Sequence, residues 1–257
     1  MSGVLRAELL KIYSVRFTAW TLSLAAILAI GVSYLMGLNL RHNIADRSAE
    51  QLTRFDSLFA AFYSLTLAQL PLVVFGVLVV GSEISTGTIR AALAATPQRG
   101  TFYVGKVLAV ALPVACLAIV TVPVAFTVAQ LALGPHGMTL GDDGVLGAMA
   151  GSWIYLTLIV LFAAGFAMIT GASTRAIGIM LPVFFLGSQG LGNVPYVREV
   201  AQYLPDQAGM VIMHVAGPQD DPAFAHSYGP WVGLGIVALW TTVALVGGWL
   251  VLRRRDV

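Results

Sequence analysis

Charged positions divide the 257-residue chain into six long runs free of Asp, Glu, Lys and Arg, at 17–40, 57–82, 107–141, 144–174, 176–197 and 222–252. Crossing ~30 Å of hydrocarbon takes about 20 apolar residues at ~1.5 Å of helical rise each, so every run is long enough for one span. The third run is longer than one helix needs, and Gly134, Pro135 and Gly137 end its helix early. The last contains His226 and Pro230, so its span begins near Trp231. In lipid every backbone polar group must be satisfied within the segment, which leaves closed helices as the form of these runs. The pattern predicts an all-α integral membrane protein with six transmembrane helices in a single domain, 1–257. The run 17–40 exceeds the roughly 7–15 apolar residues of a secretory signal and is read as a retained span.

Three segments between the runs are expected to be structured. Residues 1–16 carry Leu5, Leu9 and Ile12 on one helical face with Arg6 and Lys11 off it, the pattern of an interfacial helix. The segment 83–106 offers Ser85, Thr86 or Gly87 to start a short helix through Ala95 and Pro97 to stop it. The segment 198–230 holds apolar stretches at 200–203 and 208–215, separated by Pro205 and Pro218. They suit short helices dipping into one leaflet.

Composition supports the membrane reading. The chain is 58% hydrophobic and 10% charged, against about 25% charged in soluble domains. A net charge of +2 gives no nucleic-acid-binding surface. With the N-terminus inside, ten of the fourteen basic residues are cytoplasmic: Arg6, Lys11, Arg16, Arg90, Arg99, Lys106, Arg175, Arg253, Arg254 and Arg255. Arg41, Arg47, Arg54 and Arg198 fall outside, with nine of the twelve acids. The positive-inside rule therefore orients the chain with both ends in the cytoplasm. Trp20, Trp153, Trp231 and Trp249 near span ends fit an aromatic belt. Cys116 is the single cysteine, so no intrachain disulfide forms.

Catalytic chemistry is hard to find. No HExxH helix is present, and His42, His136, His214 and His226 all fall in or near outside loops. The six span interiors hold no Asp, Glu, Lys or Arg, which places the energy source in another chain. Gln69, Gln130 and Gln189 are the polar residues at depth. They either line a substrate path or bond helix to helix for roughly 1 kcal/mol each. Gly100 to Lys106 reads GxxxxGK, but Val107 stands where Ser or Thr would hold magnesium, and a span follows. Pro71, Pro113, Pro123 and Pro182 invite kinks within spans, and Gly147 with Gly151 forms a GxxxG.

The most specific stretch is Gly81-Ser-Glu83-Ile-Ser85-Thr86-Gly87-Thr88-Ile-Arg90-Ala-Ala-Leu93-Ala-Ala-Thr96-Pro97-Gln-Arg99-Gly100. An acid, Ser/Thr-Gly-Thr, a base, Leu-Ala-x-x-Pro and a second base resemble the first cytoplasmic loop of ABC-2 type permeases, the type V ABC exporters. The opening, Leu5-Arg6-Ala-Glu8-Leu-Leu-Lys11 through Arg16 and Trp20, and the close on Arg253-Arg254-Arg255-Asp256 are similar to bacterial, actinobacterial-like members. The resemblance implies an ABC-2 type permease fold with six spans, an interfacial helix at 1–16 and a coupling helix at Thr88–Ala95. It also implies short outer helices at 198–230, before the last span. Glu83, Thr86, Gly87, Thr88, Arg90, Leu93, Pro97 and Arg99 would couple the chain to a cytoplasmic ABC ATPase. Two permease copies, identical or similar, would pair in a bacterial plasma membrane. The chain would be a non-catalytic subunit without cofactor or metal of its own, ATP and magnesium sitting on the partner. An amphiphilic drug, peptide or lipid would be exported. Glu83 is expected to pair with a nearby base and fix the loop's angle, leaving Arg90 and Arg99 for acids on the ATPase. A membrane scaffold, immunity or assembly protein shares the span count, as does a lipid enzyme, for which His42 and Asp46 are the candidates. The loop 83–106 discriminates, because a scaffold needs no docking helix.

Overall fold

In the computed structural model, residues 2–44, 56–95, 98–188, 190, 194, 196–221 and 224–254 are described, and among them every regular element is a helix. α1 spans Ser2–Ser14 and α2 Arg16–His42, with an extended Val15 between them. α3, Ser57–Thr86, begins on Asp56, whose side chain accepts the Leu58 amide at 2.9 Å. It ends at Gly87, which adopts φ +75°, a left-handed cap that costs glycine nothing. α4 is the short helix Thr88–Ala95. α5 runs through Arg99–Leu133 and stops at Gly134 in a single 3₁₀ turn, as the Gly-Pro sequence there predicts. α6 is Val145–Thr170, α7 Ser173–Ser188, α8 Arg198–Ala201, α9 Pro205–Ile212 and α10 Pro230–Arg254.

α2, α3, α5, α6 and α10 are each long and apolar enough to cross a membrane. The architecture is that of an all-α, multi-pass membrane protein. The apolar run 176–197 is where expectation and structure part. Its helix, α7, stops at Ser188 after 16 residues, about 24 Å of rise. Hydropathy cannot see the reason, which is backbone freedom: two residues past the end of α7, Gly190 sits at φ +111°, a setting that no helix uses.

α3 is the central post. Twenty of its thirty residues are buried, and α2, α5, α6 and α7 pack around it. Peripheral α2 buries six of twenty-seven residues and exposes Trp20, Ile27 and Leu35, as a lipid-facing helix does. Close helix contacts are made by glycines, of which one belongs to the GxxxG pair. A Cβ on Gly165 would lie 2.7 Å from the Ala244 backbone, and one on Gly76 would lie 2.7 Å from the Val160 carbonyl. Gly147 meets nothing, whereas Gly151 admits Ile212 of α9.

Contacts define two ends. At the α1 end lie the last turn of α3, the first turn of α5, the start of α7 beside Gly81, and the last turn of α10 beside Arg99. At the distal end Gln130 of α5 donates to the Ser57 carbonyl at 3.1 Å, and His214 contacts Asp56 at 2.7 Å. α9 dips into the bundle from that end, all eight of its residues buried. A short helix dipping in from one side is what the apolar stretch at 208–215 suggests, but the helix begins earlier, at Pro205, and carries Asp206 in with it.

Candidate functional site

The structure concentrates charge at the α1 end, in a closed ring of four side chains from three helices. Glu8 and Lys11 are three apart on α1 and so share a face. Glu83 stands on the last turn of α3, and Lys106 two turns into α5. Lys106 Nζ donates to Glu8 Oε2 and to Glu83 Oε2, both at 2.6 Å. Lys11 Nζ donates to the other oxygens, Glu8 Oε1 at 3.0 Å and Glu83 Oε1 at 2.5 Å. Each carboxylate therefore bridges both ammoniums, and each ammonium bridges both carboxylates. The ring is neutral, and three members are buried, while Lys11 keeps 45% of its side chain exposed.

Local sequence explains how α1 comes so close. Residue 105 is glycine, and a Cβ there would lie 2.8 Å from Val4 Cγ1. Leu5, Leu9 and Ile12 cover the bundle from α1, Ile12 almost fully buried, while Leu10 and Tyr13 face out. Lys106 also lies over the Phe102 ring, 5.2 Å from its centroid. The GxxxxGK match thereby acquires a structural account. Gly100 to Lys106 are turns of one helix, so no loop cradles phosphate, and the Gly-Lys pair serves α1 instead.

The electrostatics are those of a satisfied network. Burial pushes the Glu8 carboxyl up, but the Lys106 charge and hydrogen bonds from Lys106 and Lys11 outweigh it and hold the group below its ordinary range. Burial pulls the Lys11 ammonium down, and its bonds to Glu83 and Glu8 more than reverse that.

No protein-family model matches this chain, and no curated protein matches it.

Glu83 and Lys106 are 23 residues apart, and α4 lies on the connection between them. Their bond closes that connection at its base. Above it, the Thr88 hydroxyl bonds the Thr86 hydroxyl at 3.0 Å, and the Thr86 hydroxyl also donates to the Ser82 carbonyl. Ile89 and Leu93, one turn apart, are the buried face of α4, while Arg90, Ala91 and Ala94 are exposed. Because α3 breaks at Gly87, Arg90 does not share a face with Glu83. Arg99 donates to the carbonyls of Leu252 at 3.2 Å and Arg253 at 2.8 Å. It thereby caps the negative end of α10. Pro97 and Gln189 lie outside the described residues.

The other deep glutamines bond helix to helix. Gln69 accepts from the buried Tyr155 hydroxyl and donates to the Thr66 carbonyl at 3.0 Å. Gln130 donates to Ser57 and accepts the Met138 amide at 2.9 Å. Sequence reasoning expected a base beside Glu83 but did not identify Lys11 and Lys106 as that pair, nor Glu8 as the acid that shares them. The one available signal was the unusual pairing of two acids with two lysines near the ends of uncharged runs.

Proposed function

We propose that this chain is the membrane-spanning subunit of an ATP-driven exporter of the ABC-2 type. The observation that carries the reading is the clamped helix: eight residues, exposed on one face, with their loop closed at its base by Glu83 and Lys106. A load on α4 passes through the ring into α3, α5 and α1 together, because none of the three can move without breaking a buried ion pair. A docking site for a motor needs that stiffness.

In this reading the α1 end faces the cytoplasm, and the ATPase docks on Arg90 and the outer face of α4. α7, α8 and α9 together make a sixth crossing. Five long helices alone would leave the two termini at opposite ends, whereas Arg99 of α5 bonds the last turn of α10 beside α1. A second copy pairs in the plane of a bacterial plasma membrane. Alternation of ATP binding and release on the partner rocks the halves between two packings and moves an amphiphilic or hydrophobic substrate outward. Charge reversal, Arg90→Glu, tests the docking face. Co-purification of the ATPase and export activity should both fall at least tenfold, with thermal stability unchanged. Unaltered co-purification and export would sink the assignment.

A further inference from the structure

α9 carries a carboxyl that no cation among the described residues meets. Asp206 is fully buried, its Oδ1 lacks a hydrogen-bond partner, and its Oδ2 accepts from Gln207 Nε2 at 2.8 Å. The elements packed against it bring phenols and glycines. From α6 comes Tyr155, whose hydroxyl is committed to Gln69 and whose ring lies against Gly209. The segment before α10 brings Tyr228, bonded to the Gln202 carbonyl. These two phenols are the titratable groups in electrostatic reach of Asp206. α10 presents Gly233 beside Ala208, and α7 presents Gly187. The bases of α7 and α10 (Arg175, Arg253 and Arg254) sit at the α1 end, and His214 is held by Asp56.

A desolvated carboxylate without a counter-charge strongly favours its neutral form. Packing limits the ligand that can neutralise it. A Cβ on Gly187 would stand 2.3 Å from Asp206 Oδ2, and one on Gly209 would stand 2.1 Å from the Tyr155 ring. With the packing this close at those two points, the least bulky species that can neutralise the carboxylate is a proton.

We propose that Asp206 is a proton-binding site that seats α9 in the distal half of the bundle. The carboxylic acid form fits the seat. When its O–H bond breaks, the proton passes to water at the distal end, the electron pair stays on the carboxylate, and α9 swings out to hydrate the charge. The site would thus read pH on the side opposite the ring, and it stands apart from the transport reading.

Hydrogen–deuterium exchange of residues 205–212 in lipid nanodiscs tests it, each rate being divided by the intrinsic rate at that pH. If opening releases one proton, it becomes tenfold easier per pH unit above the ordinary carboxylate pKa, and levels off once the seated acid itself ionises. The wild type should follow that slope, and Asp206→Asn, always neutral, should stay protected at every pH. Infrared spectra of wild type bearing labelled aspartate need no variant to fold. A protonated-carboxyl band should persist above the pH at which exposed carboxyls ionise. Protection independent of pH in the wild type, the same slope in Asp206→Asn, or no such band would overturn the proposal.

Discussion

The ring at the α1 end answers to mutation as a unit, because each of its charges is balanced by two neighbours. Removing one partner from a buried pair leaves an uncompensated charge and costs about 3–5 kcal/mol. Lys106→Met leaves Glu8 and Glu83 facing each other with only the half-exposed Lys11 between them. Thermal unfolding in mild detergent should show that loss. Glu83→Gln combined with Lys106→Gln should recover much of it, since neither charge is then stranded. The pH dependence has a fixed sign. Glu8 is held below its ordinary 4.5, so its contribution is complete above that pH and is lost as pH falls toward the folded value. Lys11 is held above 10.5, so its contribution is complete below that pH and disappears as pH rises through the folded value. The coupling energy between Glu8 and Lys106, from a double-mutant cycle, should therefore be flat around neutrality and shrink below about pH 4.5. A coupling that grows on acidification would contradict the ring.

Glycines decide how the elements fit. At φ +75° Gly87 sets the angle between α3 and α4. Gly87→Ala should cost about 1 kcal/mol in backbone strain, and it should disturb α4 more than the rest of the bundle. Gly147→Ala meets open space and gains helix propensity, so stability should hold or rise by roughly 0.5–1 kcal/mol. Gly165→Ala drives a methyl into the Ala244 backbone, so it should lose about 1–3 kcal/mol. Melting curves of the two variants give opposite shifts if α6 and α10 pack as described. Elements differ in how legible they were. α4 was readable to its ends, because Thr86, Gly87 and Pro97 punctuate it. α7 was not, because an apolar scale scores a glycine-rich tail like a helix. α9 was legible as a short dipping helix, but not the burial of its Asp206, because an acid beside a proline reads as a solvated loop until the chain folds back over it.

On the scale of the whole molecule, charge position along the chain carries the architecture. The basic residues of α1, α4, α5, α7 and α10 collect at one end, as their order in sequence implies. Their individual roles were hidden. Positive-inside retention accounts for Arg99 and Lys106 equally well in one dimension, yet one caps α10 and the other is locked between two acids. Partners 98 and 72 residues apart leave no local pattern to find. The same arrangement gives the molecule two unlike ends: a charge-clamped end around α3, and a distal end where α9 buries a carboxyl with one oxygen unbonded.

The central claim is that the clamped α4 exists to receive a motor. The most direct measurement is capture of the tagged full-length protein from its native membranes in mild detergent, followed by quantitative mass spectrometry. A cytoplasmic ATPase at one copy per permease is the predicted result. A chain that comes out alone at every detergent strength, with α4 intact, would contradict the account.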